Sequence, residues 1–430
     1  MGVRATHPQT HLLDLSMRRT TSKRGFPRQP RWWRLALSIQ AALTQASWVG
    51  VRLMAGYRAL ELDADGALLG IVAATFALPG LLGALTAGRL ADRYGGALLA
   101  TAGLIAAISA TAVMLLAGNL LSLLCGTFLT GLGHLLVIIG HQSTAAQHSG
   151  DRGTDQAFGT LTAAISVGQL IGPPAVTTAG ALLGTAIGLD QSDAQLGLSM
   201  SLGLAFLSLP LSLALPPSAR RQTGTSVTNR RQWGSSITIL RSPGMWRSLT
   251  VGAVVVVAVD LLYAFLPLWA THHGIPPATV GLLLALRAAV AVVSRIGLAV
   301  LVQRLGRKYL LVTALAIGTG SFLLLSVPHQ LTAVIAMIGL GIGLGIPQPL
   351  TMAWVVGLTA PHLQGTALGL RMTFSRLAQT SIPATVGATS MALGTSGVFW
   401  ISAAMVAGAC ALTAYSQPDR GPRPGTVDSL

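Results

Sequence analysis

The sequence predicts an all-α polytopic membrane protein, with twelve transmembrane helices arranged as two six-helix halves. Three observations carry that prediction. Composition is the first: of 430 residues, 52% are hydrophobic and only 9% charged, and mean hydropathy is +0.65. A soluble globule carries about 25% charged residues. The second is a succession of apolar segments of about the 20 residues needed to cross a bilayer. The third is an internal repeat, in which glycines, prolines and a glutamine recur at a near-constant offset.

The predicted spans run 35–58, 66–87, 96–117, 120–146, 156–184, 194–215, 246–270, 278–302, 309–327, 330–358, 366–391 and 395–416. Short polar or glycine-bearing connections separate them, the faintest being Gly118-Asn119. The one long connection, 216–245, holds Pro216, Pro217, Gly224 and several Ser and Thr, and reads as a linker. The chain therefore divides into a basic tail (1–34), a first six-helix half (35–215), the linker (216–245), a second half (246–416) and a short tail (417–430).

Charge placement predicts topology. The net charge of +16 is concentrated in the first tail, from Arg4 to Arg34, and in the linker and its flank, from Arg220 to Arg247. Arg89, Arg93, Arg304, Arg307 and Lys308 fall on the same side. Opposite loops hold Glu61, Asp63, Asp65, Asp190, Asp193, His272 and His273. The positive-inside rule puts both termini and the linker in the cytoplasm. No soluble domain remains to hold a basic face, so nucleic acid is not an expected partner. Lys23 and Lys308 are the only lysines, and with the Ala and Gly load this points to a GC-rich bacterial genome and a bacterial cytoplasmic membrane. The tail has no apolar core ending in a cleavage site, so no signal peptide is expected, and Met17 is an alternative start. Cys125 and Cys410 both lie in apolar segments, and neither a disulfide framework nor a metal cluster is expected.

The repeat pairs Gly95 with Gly306 and Gly70 with Gly281 (306 − 95 = 281 − 70 = 211). Gly131 and Gly133 recur as Gly341 and Gly343, and Gly159, Gln169 and Pro173 as Gly369, Gln379 and Pro383 (383 − 173 = 210). Parallel halves of this kind lie about an axis along the membrane normal.

Between the second and third spans the chain reads Gly88-Arg89-Leu90-Ala91-Asp92-Arg93-Tyr94-Gly95. Charges this dense belong in a tight loop at the membrane surface. The run resembles the signature loop G-x-L-a-D-r-x-G-r-k of major facilitator superfamily transporters, matching at Gly88, Leu90, Asp92, Arg93 and Gly95. Gly96 and Ala97 replace its basic pair. The resemblance covers roughly residues 35–416. It implies the major facilitator fold, alternating access, a monomer without cofactor, and a central cavity lined by spans 1, 4, 7 and 10. It also implies a gate in which Asp92 is hydrogen-bonded near the start of span 11 with Arg371 within reach. In span 5, Gly168, Gly172 and Pro173 resemble part of the g-x-x-x-G-P-x-x-G-G run of proton-coupled drug antiporters, with Val176 and Thr177 replacing the closing glycines. Closely spaced glycines let helix backbones approach, and prolines permit a bend. The Arg that this branch carries in span 4 is absent, since Thr127 precedes Gly131-Leu132-Gly133.

Polar side chains at membrane depth must be paired or face water. Span 1 offers Gln45 and Arg52, and span 4 offers His134 and His141. Span 7 offers Asp260 and Tyr263, and span 10 offers Gln348 and Trp354. Arg287 and Arg295 lie in span 8, and Arg371 and Arg376 in span 11. Asp260 is the one acid near the midplane, so it is the expected proton-coupling residue, with a static Asp–Arg bridge as the bland alternative. His134 is a second coupling candidate, because an unperturbed imidazole titrates near physiological pH. It can equally be a buried neutral ring. The surplus of Arg over Asp260 favours an anionic or amphipathic cargo if those side chains face the cavity, and means nothing for cargo if they snorkel.

The expected function is therefore secondary transport of a small organic molecule, with protons and membrane lipid as the other partners. Proton-coupled efflux is the first reading and proton-coupled uptake of an organic acid or sugar-like metabolite the second. A transporter-derived sensor without flux is the reading from another class. No H-E-x-x-H, G-x-S-x-G or phosphate-cradling Gly-x-x-x-x-Gly-Lys run is present, so an enzyme or an ATP-driven pump is not expected.

Overall fold

A computed structural model of the chain describes residues 32–148, 154–179, 191–216, 242–327, 329–359 and 363–416, with Leu182, Ala186 and Leu240. The two tails, up to Arg31 and from Gln417, and most of the linker lie outside the described residues.

The first half comprises α1 (Trp32–Glu61), α2 (Gly66–Tyr94), α3 (Gly96–Leu115), α4 (Leu120–His148), α5 (Thr154–Pro174) and α6 (Asp193–Ser208). Local chemistry sets the ends. Asp65 caps α2 by accepting from the Leu68 amide at 2.8 Å, and Asn119 does the same for Ser122 at the start of α4. Ser192 and Gln195 form a reciprocal capping box on α6. Arg58 closes α1 by donating to Glu61 and to the Ala117 carbonyl. Beyond Pro174 the α5 backbone widens into a π turn, Ala175–Ala179, where the two prolines have withdrawn amide donors.

The second half comprises α7 (Met245–His272), α8 (Pro277–Val293), α9 (Leu298–Leu305), α10 (Arg307–Leu325), α11 (Gln330–Gly345), α12 (Pro347–Gly357) and α13 (Gln364–Ala414). Four spans differ from the sequence expectation. The eighth is broken, with α8 and α9 bent 62° apart around Gly297 at φ 75°. The tenth is interrupted at Ile346, where Pro347 withholds its amide. The eleventh and twelfth run together as α13, parted only by the non-helical Gly394 (φ 69°, ψ −177°).

By length and apolarity, eight helical runs among the described residues qualify to cross a membrane, or nine with the bent α8–α9 pair. The remainder, α1, α5 and α13 before Gly394, carry polar side chains such as Gln45, Arg52, Gln169, Arg376 and Gln379.

The repeat is geometric as well as sequential. Gly95 ends α2 at φ 92°, ψ 151°, and Gly306 ends α9 at φ 80°, ψ 151°, a conformation open essentially to glycine. In the first half a Cβ on Gly133 would lie 2.7 Å from the Gly103 carbonyl, joining α4 to α3. In the second half Gly343 meets Gly318, joining α11 to α10.

The halves meet from mid-depth to the end bearing the 61–65 and 273–276 loops. There Gly66 faces Ser390, Gly70 faces Pro383 and Gly387, Gly56 faces Pro267, and Gly281 faces Pro173 and Thr177. The last such approach of α2 to α13 is Gly80 against Arg376. In the same register Gly88 would face Leu368–Gly369, yet a Cβ on either Gly88 or Gly369 would meet no neighbouring segment within 4 Å. Among the described residues α2 and α13 are therefore packed together at the loop end and splayed apart at the Arg-rich end.

Candidate functional site

Residues from both halves converge at mid-depth. Arg52 of α1 donates from Nη1 to Oδ1 of Asp260 of α7 at 2.7 Å, and both side chains are buried. Gln379 of α13 donates to the other carboxylate oxygen at 2.5 Å, and its own carbonyl accepts from Arg376 at 3.3 Å. Arg376 as donor on one side and the Asp260 carboxylate as acceptor on the other fix which way the Gln379 amide points. Asp260 is thus held by one charged and one neutral donor from different halves. Removing one partner of such a buried pair costs about 3–5 kcal/mol, because the other charge is left uncompensated.

Aromatic rings surround the pair. The Arg52 guanidinium lies 4.9 Å from the Trp48 ring, 5.9 Å from Phe76 and 5.8 Å from Tyr263. Trp48 stacks on His134 at 3.8 Å with planes 7° apart. Arg287 of α8 is 5% exposed and sits 5.7 Å from the Tyr263 ring. A small pocket lined by Arg52, Gly56, Leu69, Phe76 and Tyr263 among others lies beside the ion pair. A second small pocket within the first half is lined by Trp48 and His134 among others.

Of the residues singled out in the sequence, Arg52, Asp260, Tyr263, Arg287 and Arg376 come together here, and His134 joins them through Trp48. Gln45 is buried on α1, where its Cβ abuts Gly168. His141 bonds Gln40 at 3.1 Å, and Gln40 reaches the Ser208 carbonyl and Ser212, so this cluster clamps α1, α4 and the end of α6 within one half. Gln348 is exposed and accepts from Arg295, which also donates to the Gly345 carbonyl. That bond holds Arg295 to its own half. Trp354 is 2% exposed and packs in the main core cluster.

The gate expected around Asp92 is not assembled. Asp92 is exposed and makes no hydrogen bond or ion pair among the described residues. Arg371 lies instead beside Gly252 of α7, with its Nε buried and unpartnered. The splay of α2 from α13 accounts for this separation. The span 5 run does pack closely: Cβ atoms on Gly168 and Gly172 would meet Gln45 and the Ala46 backbone of α1, and the Pro173 carbonyl abuts Gly281 of α8.

Sequence reasoning missed Gln379 as a site residue, although the repeat marked it, and missed Trp48 and Phe76, which look like ordinary apolar positions. Among the described residues no cluster of His, Cys, Asp and Glu could hold a metal ion.

The family profile described as Major Facilitator Superfamily matches residues 37–383 and again 261–429. The chain belongs to the major facilitator superfamily. Solved structures of this fold include the nucleoside transporter NupG, 14% identical at a TM-score of 0.71, covering 89% of this chain and 100% of that one. A bacterial homolog of the human lysosomal transporter Spinster, inward-facing and unoccupied, is 16% identical at 0.70, covering 91% and 97%. The peptide transporter POT in complex with sulfate is 16% identical at 0.67, covering 89% and 93%. No curated protein matches by sequence. As a superfamily member this is a multi-pass secondary transporter, and its ion pair lies where the superfamily's two halves meet.

Proposed function

We propose that this chain is a proton-coupled secondary transporter in which Asp260 is the coupling acid and a small organic molecule is the cargo. The observation that carries the proposal is the Arg52–Asp260 pair, which joins the two halves at mid-depth with Gln379 on the second carboxylate oxygen. Rocking of the halves must lengthen or break that contact. The proton affinity of Asp260 then differs between the two states, and such a difference is what coupling needs. The setting is a bacterial cytoplasmic membrane, with the termini and the Arg-rich end in the cytoplasm, so this conformation faces inward. The working unit is a monomer.

Direction depends on which ligands load together. A proton on Asp260 frees Arg52, and a freed guanidinium receives an anion, so the surplus of buried Arg supports cotransport, which is uptake down the proton gradient. Efflux in exchange for protons is the second reading, supported by the close packing of the Gly168–Pro173 run against α1 and α8.

The test is a pH-reporting dye inside proteoliposomes challenged with a panel of organic acids, bases and neutral metabolites against protein-free vesicles. Cotransport acidifies the lumen when substrate is added outside, and exchange alkalinises it. Asp260→Asn should abolish the proton movement while downhill exchange of labelled substrate continues. Wild-type proton movement in Asp260→Asn would move the coupling site elsewhere, with His134 next.

A further inference from the structure

The central charges are arranged symmetrically in position and asymmetrically in compensation. At the 211-residue offset Arg52 corresponds to Tyr263, and Phe76 to Arg287 (263 − 52 = 287 − 76 = 211). In the first half a guanidinium on α1 lies 5.9 Å from an aromatic ring on α2. In the second half the ring is on α7 and the guanidinium on α8, 5.7 Å apart. The two halves thus build the same cation–ring pair with its members exchanged. Asp260 breaks the symmetry, since its counterpart is Val49 (260 − 49 = 211). It compensates Arg52 directly. Arg287 has no such acid, and makes no hydrogen bond or ion pair among the described residues. Its Nε is buried without a partner, and so is the Tyr263 hydroxyl whose ring it touches.

A buried cation is costly unless paired, and a ring contact is a weaker partner than an acid. A second cation, Arg376, has among the described residues only the neutral Gln379 as its side-chain hydrogen-bond acceptor, at 3.3 Å. Of the three guanidinium groups, only that of Arg52 is paired with the carboxylate. Donors without acceptors, at the meeting of the halves and beside aromatic walls, are a receptor for the missing charge.

We propose that Arg287 and the Tyr263 hydroxyl receive the anionic group of the substrate, and that the substrate is an organic carboxylate with an apolar or aromatic body. The proposal rests on the transporter reading for the site's purpose, but not on proton coupling or on direction. The planar fork of Arg287 matches a carboxylate in two-point contact, while Tyr263 and Phe76, which line the pocket beside the ion pair, offer aromatic surface to the substrate's body. With the anion on Arg287, a proton on Asp260 makes Arg52 a second donor, and proton and substrate load together.

The experiment uses purified full-length protein and sets of three ligands sharing one body (phenylpropyl, indolylethyl or hexyl), ending in a carboxylate, its amide or the corresponding amine. Thermal stabilisation is read first, then binding by calorimetry. The carboxylate should raise Tm most in at least one set, with amide and amine binding at least about tenfold more weakly, as expected for a hydrogen-bonded charge. Arg287→Gln should lose that preference and bind carboxylate and amide alike. Tyr263→Phe should weaken the carboxylate several-fold while keeping the ring. Ligand-free Arg287→Gln should melt no lower than wild type, because it removes a cation without an acid.

Equal or better binding of amides or amines overturns the proposal, and so does failure of every carboxylate to stabilise wild type above Arg287→Gln. An Arg287→Gln protein that does not fold makes Arg287 structural and also overturns it. Carboxylate binding without flux in proteoliposomes would sink the transporter reading and leave the anion site standing. Flux with a cationic preference would do the reverse.

Discussion

The two halves share a backbone plan and differ in where they spend charge. Both end their second span on a glycine at the same unusual dihedrals, and both join their third and fourth spans through paired glycines. Only the first half keeps an acid in that turn, Asp92, where the second has Gln303. Only the second half carries an acid at mid-depth, Asp260, where the first has Val49. Backbone-dictated positions are therefore alike in the two halves, while the acids are placed differently, one in the turn after the second span and the other in the ion pair at mid-depth.

The largest expected effect tests whether the central pair is one unit. Arg52→Gln alone leaves Asp260 with a neutral donor, and Asp260→Asn alone leaves Arg52 buried without an acid. Each should cost up to about 3–5 kcal/mol, and the double variant should recover most of that loss. Calorimetric melting of the four proteins gives the coupling energy. Strictly additive losses would mean that the two residues act separately, and that the contact between halves at mid-depth is held by packing alone.

A smaller effect tests the sameness of the turns. Alanine at Gly95 or Gly306 must adopt φ near 92° or 80° with ψ 151°, a strain of about 1–3 kcal/mol. The two costs should agree within about 0.5 kcal/mol if the turns do one structural job. A much larger transport defect in Gly95→Ala at equal stability loss would show that the first turn has a gating duty beyond its shape.

Much of this was legible before any coordinates. Apolar length gave the spans, and repeated glycines gave the halves, because both are fixed by chain-local chemistry. Asp260 was legible because an acid at membrane depth is too costly to be incidental. Its partners were not, since three arginines lay at similar depth and helix rotation decides which one reaches it. Gln379 escaped for the same reason. His141 and Gln348 were assigned to the cavity by span and depth alone, which did not announce their bonds to Gln40 and Arg295. The break between α8 and α9 turns on Gly297 adopting positive φ, which composition does not announce.

The smallest effect on stability should come from the splayed end, and it separates the two ends of one helix pair. At the loop end, Gly66 and Gly70 of α2 are packed against α13. At the other, Gly88 and Gly369 are open and Asp92 is exposed. Gly88→Ala or Asp92→Asn should therefore change the stability of this conformation by no more than about 0.5 kcal/mol. The same changes should act on the opposite state, where closing the Arg-rich end brings Gly88 against Leu368–Gly369 and Asp92 to the start of α13. There a Cβ obstructs the approach, and Asp92→Asn forfeits a charged hydrogen bond of about 1.5–3 kcal/mol. Both variants should bias the protein toward the present conformation and slow transport without lowering Tm. Gly70→Ala should bias it the other way, since its Cβ would press on Pro383 and Gly387. Spin labels at Leu90 and Met372, exposed on the two helices, report the opening directly. A longer mean distance in the first two variants and a shorter one in Gly70→Ala is the expected result. Unchanged distances in all three would mean that this helix pair does not govern which end is closed.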